Sequence, residues 1–386
     1  MSEWLGVNRK GRRCYGFDEV ALVPGRKSIN PEEVDTSVEL CGIHFDIPII
    51  AAAMDGVVDP RFAVEMSRLG GFAILNLEGI YTRYENPYEV IDRIVEATPE
   101  EATRLVQEIY LEPVKEHLIE KRIKEIKEKD AICVVSSIPQ KATRYGKIAE
   151  SAGADIFVIQ ATVLTVEHIS SGYEKVDLAS FCKEMKIPVI LGNCVTYEVA
   201  LDLMYAGASA ILVGVGPGTA CTTRGVLGIG VPQVTATIDA AAARDYYYRK
   251  TGRYVPVITD GGMRRGGDIC KAFACGADAV ILGSALARAK EAPGKGYHWG
   301  MATPHPYLPR GTRIFVGTTG TLKEILYGPA RTDDGSQNLV GALQTSMGNL
   351  GVMNIKEMQE VEIIIAPSIQ TEGKIFQAVQ RVGMMK

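Results

Sequence analysis

Eight short apolar runs, each followed by an amphipathic stretch, march along this chain of 386 residues. The runs are IPIIAAA (47–53), GFAILN (71–76), AICVVSS (131–137), DIFVIQ (155–160), IPVILGN (187–193), SAILVG (209–214), YVPVIT (254–259) and AVILG (279–283). They are rich in Val and Ile and apolar on both faces, as strands of a parallel sheet covered on both sides must be. The intervening segments, such as PRFAVEMSRLG, TRYGKIAESAGA and TYEVALDLMYAGA, carry helical periodicity, and several end in Gly, which suits a helix C-terminus. Eight βα units predict an α/β fold, a (β/α)8 TIM barrel, which needs about 250 residues. The remainder is expected as terminal extensions and insertions within a single catalytic domain over 1–386. A doubly wound open sheet is the structural alternative, but no GxGxxG follows the first run.

Two stretches break the rhythm. Residues 97–130 are highly charged with a helical period and are expected to form a solvated outer pair of helices. Residues 294–337 are rich in Gly, Pro and Thr without a strong period. They follow the eighth run, so they are expected as a mobile flap over the C-terminal face, where barrel enzymes carry their chemistry. The balance of 46% hydrophobic and 23% charged residues is that of a globular protein, and a net charge of −4 argues against a nucleic-acid partner. No apolar run approaches the ~18 residues of a membrane span. The eight cysteines (14, 41, 133, 182, 194, 221, 270 and 275) form no CxxC pair, so zinc is not expected. Reduced thiols in a cytoplasmic protein without a secretory signal are expected.

Three strand-end segments carry the chemistry. GVGPGTACTTRGVLGIGVPQ (214–233) follows the sixth run. Its glycines make a tight loop around Cys221, with Thr222 and Thr223 beside it, and a thiol so placed is a candidate nucleophile. In ITDGGMRRGGDICKAF (258–273), Asp260 ends the seventh run and is suited to accept hydrogen bonds from sugar hydroxyls. Gly261 and Gly262 then let a phosphate approach backbone N–H groups. AVILGSALA (279–287) places Gly283 and Ser284 at a helix start, a second anion site.

With these motifs the chain resembles the IMP dehydrogenase/GMP reductase family. The likeness extends through GFDEVALVPG (16–25), AAAMDGV (51–57), GNCVT (192–196), GPGTACTTR (216–224), GVPQ (230–233), DGGMRRGGDICKA (260–272) and LGSALA (282–287). It is greatest to the bacterial IMP dehydrogenase-related subfamily without CBS regulatory domains, because residues 84–130 are too few to hold that insertion. The resemblance implies that Cys221 attacks C2 of IMP, that hydride leaves for NAD+, and that hydrolysis of the thioimidate releases XMP. It makes Thr223 the catalytic hydroxyl, and puts Asn193 and Asp260 on the ribose and Thr219, Gly262, Gly283 and Ser284 on the phosphate. Met54 and Met301 would touch the base, and Gln160, Gly214 and Gly216 would lie beside the dinucleotide, with NADP as the alternative to NAD. The carbonyls of Gly216, Gly218 and Cys221 would hold potassium, helped by a C-terminal Glu-Gly-Gly that here reads Glu372-Gly373-Lys374. A homotetramer is implied as well.

The chain departs from the family at several points. The Arg-Tyr pair that activates water in the flap is missing, and Arg310 with Tyr307 in PHPYLPRG is the nearest candidate, with Arg313 and Arg331 behind it. Val316 stands where GMP reductases carry a glutamate, Gln160 replaces an Asp near the nicotinamide ribose, Ala52 replaces a substrate-contacting serine, and ILNLEG (74–79) replaces FIHHN. GVPQVTA (230–236), GGMRRGGDI (261–269) and QNLVGALQTSMGNLG (337–351) lean toward oxidation of IMP. The alternatives are GMP reduction with NADPH and a catalytically silent protein that only binds purine nucleotides.

Overall fold

The computed structural model describes residues 2–171, 175–300, 312–366 and 374–385. Every one of the eight apolar runs contains a strand: Ile49–Ala51, Phe72–Asn76, Val134–Ser137, Ile156–Gln160, Val189–Cys194, Ala210–Val213, Val257–Asp260 and Ala279–Leu282. They pair in chain order as a closed parallel barrel, and Val280–Leu282 against Ile49–Ala51 makes the closure. The doubly wound alternative is thereby excluded.

Closure explains why the runs are apolar on both faces. One set of side chains, including Ile50, Ile74, Val158, Ile190, Leu212 and Ile258, fills the inside of the barrel. The alternate set, including Ile49, Leu75, Val135, Phe157, Leu191 and Val257, packs outward against the helices. Both sets have to leave water for the strands to be stable there. The hairpin Val38–Leu40/Ile43–Phe45 stops the N-terminal end, with the Phe45 ring 4.7 Å from that of Phe72. The opposite, C-terminal end is left to the loops.

Local signals set the surrounding helices. Asp59 accepts the Phe62 amide to start the helix Pro60–Arg68, and Thr196 accepts that of Val199 to start Tyr197–Tyr205. Gly153, with φ of 94°, ends Pro139–Ala152. The charged segment forms two helices, Pro99–Ile109 and Glu116–Lys127. The second is more than a solvated cover. It is the ring helix of the second βα unit, lies between the helices Pro60–Arg68 and Pro139–Ala152, and buries Leu118, Ile119, Ile123 and Ile126.

The described ends of the 294–337 segment are ordered elements rather than irregular chain. Tyr297–Trp299 pairs antiparallel with Arg313–Phe315, and Leu322–Tyr327 is a helix with a Thr321/Glu324 capping box. Residues 301–311 between them, which include Met301, Tyr307 and Arg310, lie outside the described residues.

Candidate active site

A cavity of about 470 Å³ opens at the C-terminal ends of the strands, and residues from the ends of most of them line it. The loop after the sixth strand forms one wall. Gly214 has φ of 154°, and a Cβ there would lie 2.2 Å from the Asp260 carbonyl oxygen, so only glycine fits. Arg224, which the sequence reading passed over, clasps this loop. Its Nε donates to the Val215 carbonyl at 3.3 Å and its Nη2 to that of Val231 at 2.7 Å. Gly216 and Gly230 both pack on its stem. Cys221 N–H donates to the Gly218 carbonyl at 3.0 Å. The Cys221 side chain is exposed to the cavity, and its Sγ lies 3.2 Å from the Oγ1 of the buried Thr223.

Across the cavity Asn193, Asp260 and Gln160 form one network. Asn193 Nδ2 donates to Asp260 Oδ2 at 2.8 Å and to the Gly214 carbonyl at 2.9 Å. Gln160, expected beside the dinucleotide, donates from Nε2 to Asn193 Oδ1 and to Asp260 Oδ2, each at 3.2 Å. Desolvation pushes the Asp260 carboxyl up to about 6, against the opposing pull of Asn193.

The anion-binding candidates converge on a third wall. Gly261 and Gly262 have φ of 87° and 84°, Met54 packs over Gly283, and Thr219 and Ser284 face the same space. Ser284 Oγ is 3.0 Å from Nε2 of His298, another residue missed in the sequence. His298 is buried, and loss of solvent holds its imidazole down at about 4, so it is neutral near pH 7. Its only sequence signal is its place two residues before Gly300-Met301, in YHWGM.

The fourth wall contains Ile138, Gln140, Thr162 and Val163. It is held by Glu78 of the ILNLEG segment, whose carboxylate accepts from Ile138 N at 2.8 Å and Ser137 Oγ at 3.2 Å. Behind the cavity, Trp299 Nε1 donates to Tyr110 Oη at 2.8 Å, and Tyr110 donates in turn to Asp55, which also accepts the Ile80 amide at 2.7 Å. This buried chain ties the strand Tyr297–Trp299 to the loop that carries Met54.

Arg313 and Arg331 are elsewhere. Arg313 donates to the carbonyls of Ile94, Val95 and Ala97, and Arg331 pairs with Glu324. Glu372 and Gly373, expected at a potassium site, are outside the described residues, as are Met301 and Arg310. Among the described residues no group of three or more His, Cys, Asp or Glu side chains is placed to hold a metal ion, and no helix is long and apolar enough to cross a membrane.

Residues 14–374 match the model of the IMP dehydrogenase / GMP reductase domain. The chain belongs to the IMP dehydrogenase/GMP reductase family. Within it, the chain is 40% identical to an uncharacterized oxidoreductase of Mycolicibacterium smegmatis, over 94% of this chain and 99% of that one. It is 28% identical to the inosine-5'-monophosphate dehydrogenase of Methanocaldococcus jannaschii, over 94% and 95%. The crystal structure of an IMP dehydrogenase/GMP reductase-like protein from Corynebacterium glutamicum superposes with a TM-score of 0.89 at 35% identity, covering 94% of this chain and 97% of that one. The alignment with the archaeal dehydrogenase spans 491 positions, more than this chain's 386 residues, whereas that with the mycobacterial oxidoreductase spans 370. This is a short family form, an oxidoreductase barrel without CBS domains.

Proposed function

We propose that the protein is an IMP dehydrogenase that oxidises IMP to XMP with NAD+. The observation that carries the reading is the Cys221 thiol: exposed in a cavity that Asn193, Asp260, Gly262 and Ser284 also line, and within 3.2 Å of a buried threonine hydroxyl. A purine ribonucleotide suits those walls, with phosphate toward Gly262, Gly283 and Ser284, ribose toward Asn193 and Asp260, and the base between Met54 and Cys221. In this reading the sulfur adds to C2 of the hypoxanthine. The hydrogen on C2 departs with its electron pair, leaving a thioimidate on Cys221. Water then adds to C2 and the thiol is expelled, which leaves a carbonyl at C2. Thr223 is placed to exchange a proton with the sulfur or with that water.

The Ile138, Gln140, Thr162 and Val163 wall is apolar with an amide and a hydroxyl, which fits the flat carboxamide end of a nicotinamide. NAD+ bound there supplies the hydride acceptor. Potassium is a further part of the proposal. Backbone carbonyls are hard oxygen donors that suit an alkali cation, and one of the three implied, that of Gly218, also accepts the Cys221 amide. Arg310 is carried in the proposal as the water-activating group.

The test is a pair of assays in potassium buffer, each with a Cys221→Ala control. IMP with NAD+ is expected to give XMP and reduced cofactor. Consumption of NADPH by GMP, with ammonia released, would replace the reading by reduction. Nucleotide binding with neither reaction would favour the silent binder.

A further inference from the structure

The strand Tyr297–Trp299 holds one imidazole against the anion wall of the cavity. Successive side chains of a strand face opposite ways. Trp299 is fixed on one side through its bond to Tyr110, and the main chain pairs His298 with Ile314. His298 therefore faces the other side, where its Nε2 lies 3.0 Å from Ser284 Oγ. Ser284 is half-buried on the cavity wall, as are Gly262 and Gly283 beside it. His298 itself is 1% exposed, so a ligand meets the serine and not the ring.

A single proton decides what that serine offers. Burial keeps the ring neutral near pH 7, so one of its nitrogens carries hydrogen and the other does not. With hydrogen on Nδ1, Nε2 is an acceptor and draws the Ser284 proton away from the cavity. The serine then shows an anion only lone pairs. With hydrogen on Nε2, the ring donates to Ser284 Oγ, and the hydroxyl proton is free to turn into the cavity. Nδ1 settles the choice. It is buried without a hydrogen-bond partner among the described residues. A proton there would be a stranded N–H, and orphaned buried N–H groups are rarer than under-used acceptors. Hydrogen on Nε2 is also the form that a free histidine side chain favours.

We propose that His298 is a positioning residue for the anion wall: its Nε2–H donates to Ser284 Oγ and aims the Ser284 hydroxyl at a phosphate of the ligand. This rests on the reading of the site as a nucleotide site. Being neutral, the ring adds no attraction of its own for an anion. It contributes the direction of one hydrogen bond, so its removal acts on the phosphate alone and through Ser284 alone.

Calorimetric binding of IMP, GMP and AMP, each against its nucleoside, tests both points on the full chain, because the ratio of the two affinities isolates the phosphate. His298→Phe keeps an aromatic ring and removes the donor. It is expected to cut that ratio roughly three- to tenfold and to leave nucleoside affinity within about twofold. His298→Gln, whose amide nitrogen reaches toward the place of Nε2, is expected to keep most of the ratio. In a Ser284→Ala background, His298→Phe is expected to change the ratio no further. Additive losses would show His298 acting on the ligand by itself, and an equal fall in nucleoside affinity would show a merely structural role. Either would overturn the proposal and leave the proposed function standing. A ratio that depends on His298 with GMP or AMP but not with IMP would support the proposal while removing the IMP reading. No binding by any of the ligands would overturn both. Should His298→Phe not fold, 15N magic-angle-spinning spectra of the histidine-labelled wild type decide the matter, with His298→Gln assigning the signal. A protonated Nε2 beside a bare Nδ1 is expected, and a proton on Nδ1 would overturn the proposal.

Discussion

At the scale of single residues, Cys221 stands apart from the other thiols. Burial pushes Cys133, Cys194 and Cys275 up to about 12 and Cys270 and Cys182 to about 11, where they stay protonated and inert. Cys221 is the exposed one among the eight free cysteines. Cys221→Ala and Cys221→Ser are expected to bind nucleotide with near wild-type affinity and to lose turnover by at least ~10³-fold, measured by calorimetry and steady-state kinetics. Asp260 sets a pH dependence for binding. Its carboxyl titrates near 6 when the cavity is empty, so the charged acceptor is present above that value and is lost as pH falls through it. Nucleotide affinity is expected to fall below about pH 6 in the wild type, and Asp260→Asn is expected to bind more weakly throughout with that inflection gone. Cys221, Thr223, Asn193 and Asp260 were legible in the sequence because each sits at a strand end inside a distinctive Gly-rich motif. His298 and Arg224 were not, because a lone His in YHWGM and an Arg after Thr223 acquire their roles only through partners distant in the chain or through a folded loop.

At the scale of elements, all eight barrel strands were readable, because strands buried on both faces leave continuous apolar runs with turn residues at their ends. The helix Glu116–Lys127 was under-read. Its charges dominate its composition, yet one stripe of Leu and Ile packs on the barrel and the charged residues mostly face out. The strand Tyr297–Trp299 was missed for another reason. Three residues in a Gly-rich stretch give no period, and its pairing with Arg313–Phe315 is non-local. That strand is anchored through Trp299, Tyr110 and Asp55, so a residue of the charged segment braces it. Tyr110→Phe is expected to strand the Trp299 N–H and to remove a donor from Asp55, costing about 1–3 kcal/mol in denaturant unfolding. Trp299→Phe removes the same Trp299–Tyr110 bond and also leaves a void where the fully buried indole sat, so it is expected to cost at least as much. Asp55 itself is held up at about 6 by burial, so its contribution to stability is full below the ordinary carboxylate range and is lost as pH rises through 6. Asp55→Asn is expected to flatten stability between pH 4 and 6, as read by thermal unfolding across that range.

At the scale of the whole molecule, the absence of an inserted regulatory domain was visible as arithmetic on residues 84–130, and the short relatives agree with it. Adenine and guanine nucleoside triphosphates are therefore expected to leave the initial rate unchanged at saturating substrate, in a steady-state assay with magnesium. The homotetramer is a proposal from family likeness, and multi-angle light scattering checks it: a mass near four times 41.8 kDa is expected. Order of assembly follows from a different feature, the seam of the barrel. The strand Ile49–Ala51 finds its second neighbour only in Val280–Leu282, and Val20–Leu22 pairs with Ile363–Ile365. During vectorial synthesis the N-terminal strand waits with an unpaired edge until residue 282 has left the ribosome, and the segment before it waits for residue 365. Non-local closure of this kind is slow and leaves apolar edges open to wrong partners. Chains that terminate before the eighth strand are left with two open sheet edges, which makes them clients for chaperones and proteases rather than partial enzymes.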